Sequence, residues 1–465
     1  MAEDFDVVVI GAGPPGENAA GRAADGGLSV AIVEERLVGG ECSFYGCIPS
    51  KTLIRPGDAI AAAKRVPGAA ETVTGTVDVQ AAFAQRDYMT SDWDDSSGLP
   101  WLESEGIELV RGHGRLDGER RVTVDLKEGG TRALTASKAV VVSCGSTALM
   151  PPIEGLSDAR PWDNVTATST KEVPRRLLVL GGGAIGVELA QCFKRLGAEE
   201  VSVFEGGPRL LGREEPFAGK DVQEAFEKEG MTVVTGTKVT SVRRDGSDGP
   251  VVATLEDGRE FTGDEILVAV GRRPRTGDIG LDTVGLGDLA GKYLDVDDRI
   301  HVKGAPEWLY AVGDCNGKAM FTHMGKYQGR LAGDIIAGKQ ARDLVEPDVI
   351  PRVTFTDPQV AAVGLTEEQA REKALSVRAV TYAMPSVSGV YVRGNDMVGT
   401  GQMVVDESNR TIVGATFTGQ DVQELVHAAT IAIVGKVTLE ELWHAVPSFP
   451  TISEIWLRLL ETYGL

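Results

Sequence analysis

One arrangement occurs twice in this chain and leaves few folds open to it. Near the N-terminus the apolar run Phe5 to Ile10 leads into Gly11-Ala12-Gly13-Pro14-Pro15-Gly16, then an Ala-rich helical stretch, then a second apolar run from Ser29 to Val33 that ends at Glu34. The same order returns from Leu177 to Leu180, through Gly181-Gly182-Gly183-Ala184-Ile185-Gly186 and a helix to about Leu196, to a run from Val201 to Phe204 that ends at Glu205. Strand, glycine turn, helix, strand and acid is the order a dinucleotide site requires. Gly11, Gly13 and Gly16, like Gly181, Gly183 and Gly186, let the backbone reach a pyrophosphate, whose charge is met by N–H groups and the positive end of the following helix. Glu34 and Glu205 stand where a carboxylate accepts hydrogen bonds from ribose hydroxyls. Glycines that merely make tight strand-to-helix turns would not need the helix and the acid in register both times. Two complete copies imply two nucleotides.

A chain of 465 residues is too long for one ordinary core, so two or three domains are expected. The formal net charge of −21, with no basic block to offset it, opposes binding to nucleic acid or anionic lipid. The first apolar stretch is too short to span a membrane and has no basic leader ahead of it, so a cytoplasmic protein is expected. Five cysteines, an odd number in a long chain, do not resemble a secreted disulfide framework.

Between the two nucleotide units, mixed segments end in a strand from Ala139 to Ser143, and Pro151-Pro152 marks a crossover. The second unit closes near a strand from Ile266 to Val270, followed by Gly271-Arg272-Arg273-Pro274. Leu309 to Val312 reads as a short strand entering Gly313-Asp314, and Phe321 to Ala337 as a helix. From about Val349 the pattern changes to short strands, such as Arg352 to Phe355 and Gly401 to Asp406, with amphipathic helices after them; this last third reads as a separate α+β domain.

Directly after the first nucleotide unit stands Gly39-Gly40-Glu41-Cys42-Ser43-Phe44-Tyr45-Gly46-Cys47-Ile48-Pro49-Ser50-Lys51. On a regular helix, cysteines five apart are separated by about 7.5 Å of rise and face different sides, so a bridge between Cys42 and Cys47 needs a distorted turn. Gly46 can supply it, and a strained disulfide is the more easily reduced. A structural disulfide is out of place in a reducing compartment, and a closed zinc site would need about four ligands, for which no second half is recognisable. No metal site is expected. Cys144, Cys192 and Cys315 read as small buried or turn residues.

The cysteine segment resembles the active-site signature of the FAD-dependent pyridine nucleotide-disulfide oxidoreductases, which include dihydrolipoamide dehydrogenase, glutathione reductase and mercuric reductase. Ala311 to Asp314 resembles that family's second FAD motif, with Gly313 and Asp314 at its end. Ile350-Pro351-Arg352 and Thr354 to Pro358 resemble the opening of its dimerisation domain. The resemblance implies an α/β fold with two Rossmann-like dinucleotide-binding domains and a C-terminal α+β dimerisation domain. Residues 1–150 and 273–345 would bind FAD, 151–272 would bind NAD(P), and 346–465 would form a homodimer. Cys47 would be the thiolate beside the flavin and Cys42 the outer thiol that meets the substrate. Lys51 would lie near the flavin, paired with Glu188; Asp314 would bind the ribityl chain and Glu34 the adenosine ribose. NADH is expected over NADPH, because Glu205 accepts from a ribose hydroxyl and repels a 2′-phosphate, although Arg209 lies close enough in sequence to meet one.

The chain departs from this family near its end. The segment Val446-Pro447-Ser448-Phe449-Pro450-Thr451-Ile452-Ser453-Glu454 places Phe449 where the resembling disulfide reductases carry an acid-base histidine, five residues ahead of Glu454. Phenylalanine moves no proton, so Glu454 loses the imidazole it would orient; His444 reads first as a helix-end residue, and its service as a substitute acid-base stays open. The acceptor, a small disulfide, a quinone or another small molecule, therefore stays open. Two other readings remain: a flavin-only diaphorase or transhydrogenase that bypasses the cysteines, and a non-catalytic redox-sensing or structural subunit.

Overall fold

The apolar runs that flank the glycine turns form neighbouring parallel strands in two sheets of the computed structural model, which describes residues 3–247 and 249–465. The chain divides into two units. The first takes the residues up to Pro49, Gln85–Leu149 and Arg272–Pro347; the second takes Ser50–Ala84, Met150–Gly271 and Asp348–Leu465.

In the first unit Glu3–Ile10 lies parallel to Val30–Glu34 on one side and to the end of Thr131–Val142 on the other. Leu309–Ala311 adds a further parallel strand beside Val140 to Val142. An excursion through Ile107–Leu116 and Arg121–Leu126 returns antiparallel to the start of Thr131–Val142. Val7 to Ile10, Ala31 to Val33 and Val140 to Val142 are each at most 5% exposed, as continuous apolar runs covered on both faces should be. Helix Pro14–Asp25 starts at the glycine turn and lies against helix Thr322–Ile336 at backbone distance. A Cβ at Gly329 would meet the Pro15 carbonyl oxygen at 2.2 Å, and one at Gly325 the Pro15 ring at 2.5 Å. Arg22 closes this pair of helices with a bidentate bond to Asp334, at 3.0 and 2.8 Å.

In the first turn of helix Pro14–Asp25, burial pushes the Glu17 carboxyl up to about 7, with Lys326 opposing the shift. A carboxyl raised in the folded state stabilises the fold fully only below its unfolded value, and that stability is lost as pH rises through about 7. Glu17→Gln should therefore raise stability by about 2–3 kcal/mol at pH 8 and leave it unchanged at pH 4, read from denaturation midpoints at the two pH values.

In the second unit a four-stranded parallel sheet has the order Glu265–Val268, Arg176–Leu180, Glu200–Glu205, Thr232–Thr235. An antiparallel sheet of Val239–Arg244, Val251–Leu255 and Glu260–Gly263 accompanies it. The C-terminal third builds its own five-stranded antiparallel sheet, in the order Arg352–Thr354, Gln359–Gly364, Thr411–Gly419, Thr400–Asp406, Val377–Ala383. Helices Val426–Val434 and Ile455–Tyr463 complete a core of their own with it. No helix among the described residues is long and apolar enough to cross a membrane.

Candidate active site

The two glycine turns are copies down to their hydrogen bonds. In each, the acid at the end of the second strand braces the turn instead of pointing away from it. Glu34 accepts from the Ala12 N–H and from the Arg36 N–H, both at 2.7 Å. Glu205 accepts from the Gly182 N–H and from the Gly207 N–H, again both at 2.7 Å. Each carboxylate oxygen keeps a second lone pair for a ribose hydroxyl.

The glycines divide by the reason they are needed. At Gly11 and Gly181 φ is +105° and +108°, and an added Cβ would strike the neighbouring strand's carbonyl at 2.3 and 2.4 Å. Gly13 and Gly183 are different: nothing in the protein comes within 3.9 Å of a Cβ at Gly13 or within 4 Å of one at Gly183. Protein packing does not demand glycine there, whereas close backbone approach to a pyrophosphate does. Helices Pro14–Asp25 and Ala184–Arg195, of twelve residues each, point their N-termini at these positions.

Asp314 ends the strand-turn of the second flavin-like motif. It accepts from the Ser146 hydroxyl at 2.5 Å, and Ser146 in turn accepts from Arg272 Nε at 2.7 Å. Burial raises the Asp314 carboxyl above the usual range, against the opposing pull of Ser146 and Arg272. The other end of Arg272 bonds Glu41 at 2.7 Å, so one guanidinium ties the residue before Cys42 to the Asp314 turn.

The cysteines sit on two helices rather than one. Gly40–Phe44 carries Cys42; the chain breaks at Tyr45, whose φ is −139°, and Cys47 opens helix Cys47–Lys64. Gly46 is needed for proximity, since a Cβ there would lie 3.1 Å from the Glu41 carbonyl oxygen. Both cysteines are thiols here, Cys42 half-buried and Cys47 exposed. A hydrogen bond to Cys47 pushes the Cys42 thiol well up, and burial adds to it. Thr322 Oγ1 stands 3.5 Å from the Cys47 sulfur at the first residue of the fifteen-residue helix Thr322–Ile336, where the helix dipole favours an anion. The contact with Cys47 and burial thus favour the neutral form of Cys42, against an opposing hydrogen bond from Thr322.

A strained turn holds the far end of the Cys42 helix. Ser91, Asp92 and Trp93 all have positive φ, at 48°, 52° and 58°, and the Trp93 indole N–H donates to the Phe44 carbonyl at 3.0 Å. Arg86, fully buried and ion-paired with Asp87 at 2.7 Å, lies over the Trp93 ring. Non-glycine residues persist in this region only where their surroundings fix them.

In the second unit Lys51 Nζ meets Glu188 Oε2 at 2.6 Å, and Glu188 Oε1 accepts from the Phe355 N–H at 2.9 Å. The Lys51 ammonium also lies over the Phe355 ring, 4.7 Å from its centre. Arg209 is engaged by its own loop, donating to the Gly212 and Glu214 carbonyls at 3.1 and 3.3 Å. Near the C-terminus Phe449 is 74% exposed. Glu454 is 3% exposed and bonds Arg458 at 2.5 Å, while its Oε2 has no partner among the described residues. His444 caps the C-terminus of the short helix Leu439–Trp443 on the surface.

Comparison with known proteins settles the lineage. A family model described as pyridine nucleotide-disulphide oxidoreductase matches residues 5–329, and that family's dimerisation domain matches residues 350–459. The chain belongs to the pyridine nucleotide-disulphide oxidoreductases. Dihydrolipoyl dehydrogenase of Mycobacterium tuberculosis is 33% identical over 454 residues, covering 97% of this chain and 96% of that protein. Mercuric reductase of Staphylococcus aureus is 29% identical, over 97% of this chain and 81% of that protein. Among solved structures, the HOCl-induced flavoprotein disulfide reductase RclA of Escherichia coli superposes with a TM-score of 0.87 at 24% identity, covering 99% of both chains. LpdA of Mycobacterium tuberculosis gives 0.86 at 23% identity, covering all of both chains, and these two likenesses speak to fold alone. This pyridine nucleotide-disulphide oxidoreductase is thus an NAD(P)H-dependent, FAD-containing enzyme, and its dimerisation domain implies a homodimer.

The residues present fit a flavin nucleotide in the first unit: an open glycine cradle at Gly13, a braced acid at Glu34, and a half-buried acid at Asp314. Thr322, Trp93, Arg272, Glu41 and Ser146 escaped the sequence reading. Glu41 and Arg272 lie in segments that reading quotes without giving them a role, and Thr322 near the start of the helix expected from Phe321.

Proposed function

We propose that this enzyme passes electrons from NADH through FAD to the Cys42–Cys47 couple, and from there to a small acceptor other than an aliphatic disulfide. The asymmetry of the couple carries the reading: Cys42 hydrogen-bonds to Cys47, and Cys47 faces Thr322 at a helix N-terminus. Bound FAD would supply the two-electron link between nicotinamide and sulfur. The bridged couple takes up two electrons and one proton to give a Cys42 thiol and a Cys47 thiolate. Cys42 keeps that proton, Thr322 and its helix hold the charge on Cys47, and the Glu41–Arg272 and Trp93 contacts keep the Cys42 helix in place. Lys51, held by Glu188 and Phe355, supplies a fixed cation one helical turn past Cys47 in the chain. Gly181, Gly183, Gly186 and Glu205 serve the nicotinamide nucleotide. We assign FAD to residues 1–150 and 273–345, the nicotinamide nucleotide to 151–272 and dimerisation to 346–465.

NADH should be the better donor. Glu205 is fixed in place by two backbone N–H groups and repels a 2′-phosphate, and the Arg209 guanidinium is bonded to main-chain carbonyls. Anaerobic reduction with NADH and with NADPH, then alkylation and oxidation by a panel of quinones, disulfides and Hg(II), tests the whole assignment. NADH should expose Cys42 to alkylation, and kcat/KM for NADH should exceed that for NADPH. Reduction of quinone with Cys42 still bridged would point to the flavin-only reading, and a flavin that NADH cannot bleach to the non-catalytic one.

A further inference from the structure

Of the three cysteines outside the redox segment, two converge. Cys144 follows strand Thr131–Val142 by two residues, and Cys315 sits in the turn Gly313–Asn316 after strand Leu309–Ala311. These strands are parallel neighbours, Val142 opposite Ala311, and the Val312 N–H continues the pairing by donating to the Val142 carbonyl at 2.9 Å. The segments that leave them stay side by side. The Cys315 sulfur lies 3.5 Å from the Val142 carbonyl and 3.3 Å from the Val312 carbonyl, and the Cys144 side chain is near enough to interact with it. Both side chains pack into the same apolar core, Cys315 without exposure and Cys144 half-exposed.

We propose that Cys144 and Cys315 form a second redox site, a reversible disulfide produced by hydroperoxides that reach Cys144. Cys144, the exposed member, attacks the peroxide oxygen as thiolate; the O–O bond breaks, an alcohol or water leaves with a proton, and Cys144 becomes a sulfenic acid. The Cys315 thiol then attacks that sulfur, an S–S bond forms, and the S–O bond breaks to release water. Two thiols lose two electrons and two protons, and one hydroperoxide takes them up. Contact with Cys144 and burial favour the neutral form of Cys315, so it reacts only as its proton passes to the hydroxide that leaves the neighbouring sulfenic acid. The bridge would join the turn that carries Ser146 to the turn that carries Asp314, residues already bonded at 2.5 Å. Nothing in this proposal depends on the role given to Cys42 and Cys47.

The test treats the FAD-loaded protein with hydrogen peroxide or tert-butyl hydroperoxide, blocks remaining thiols after denaturation, and maps peptides without reductant. A cross-linked peptide joining Cys144 to Cys315, dissolved by dithiothreitol, is the expected result. Oxidation of Cys315 should fall about tenfold or more in Cys144→Ser, because the buried thiol has no access of its own. Recovery of Cys144 as a sulfinic acid or an unreacted thiol, with Cys315 alkylated in full, would overturn the proposal. The wild-type peptide map decides the matter even if the variant folds poorly.

Discussion

Cys47→Ser should abolish the long-wavelength absorbance that the NADH-reduced, FAD-loaded enzyme is expected to show, and should drop thiol-dependent turnover to the level of a Cys42→Ser/Cys47→Ser double variant. The expectation rests on Cys42, whose neutral form is favoured by its contact with Cys47 and by burial, and on the helix N-terminus at Thr322 beside Cys47, where the charge that would donate to a flavin is proposed to lie. Cys42→Ser should behave in the opposite way. Without a partner to bridge to, Cys47 should give the band before any reductant is added. Anaerobic titration of the three variants, followed by absorbance, checks all of this. A band that survives undiminished in Cys47→Ser would mean that the charged sulfur is Cys42.

Lipoamide should be a poor substrate, and Phe449→His should improve it by about tenfold or more, since a positioned acid-base group is typically worth ~10²–10⁴-fold. Phe449 offers no proton and stands largely exposed. Arg458 occupies one oxygen of the glutamate five residues on, while the other has no partner among the described residues. That ion pair should limit the gain in the single variant, and Phe449→His with Arg458→Ala should gain more. Quinones and metal ions, whose reduction leans less on a proton shuttle, should be turned over by the wild type at rates that Phe449→His does not raise. Steady-state rates with lipoamide and with a quinone, side by side, measure the contrast; vigorous wild-type lipoamide turnover would refute it.

What the sequence made legible follows a physical line. Both glycine turns could be read because much of their pattern is local: a Cβ at Gly16 would strike the Gly11 carbonyl of the same turn, and the strands beside them are apolar runs that match the observed ones to within a residue or two. The need for a break between Cys42 and Cys47 could be read from helix rise alone. The surrounding supports could not. Arg272 meets Glu41 across 231 positions, Thr322 meets Cys47 across 275, and Trp93 meets Phe44 across 49, and no local pattern announces such pairs. The convergence of Cys144 and Cys315 is hidden for the same reason: each by itself is an ordinary small residue after a strand. The antiparallel excursion Ile107–Leu116 and Arg121–Leu126 escaped notice because glycine and arginine interrupt its alternation at Arg111-Gly112-His113-Gly114-Arg115.

The carboxylate braces set a limit on redesign of the coenzyme site. Glu205 ties Gly182 to Gly207, so trading it for a neutral or basic side chain to welcome a 2′-phosphate also discards two charge-assisted hydrogen bonds, each worth about 1.5–3 kcal/mol. The glycine turn would then lose the residue that shapes it at the moment a new ligand is asked to bind there. A gentler route leaves Glu205 alone and releases Arg209 from the Gly212 and Glu214 carbonyls, so that a cation is added while the brace stays whole. Glu34 imposes the same order of work on the other turn.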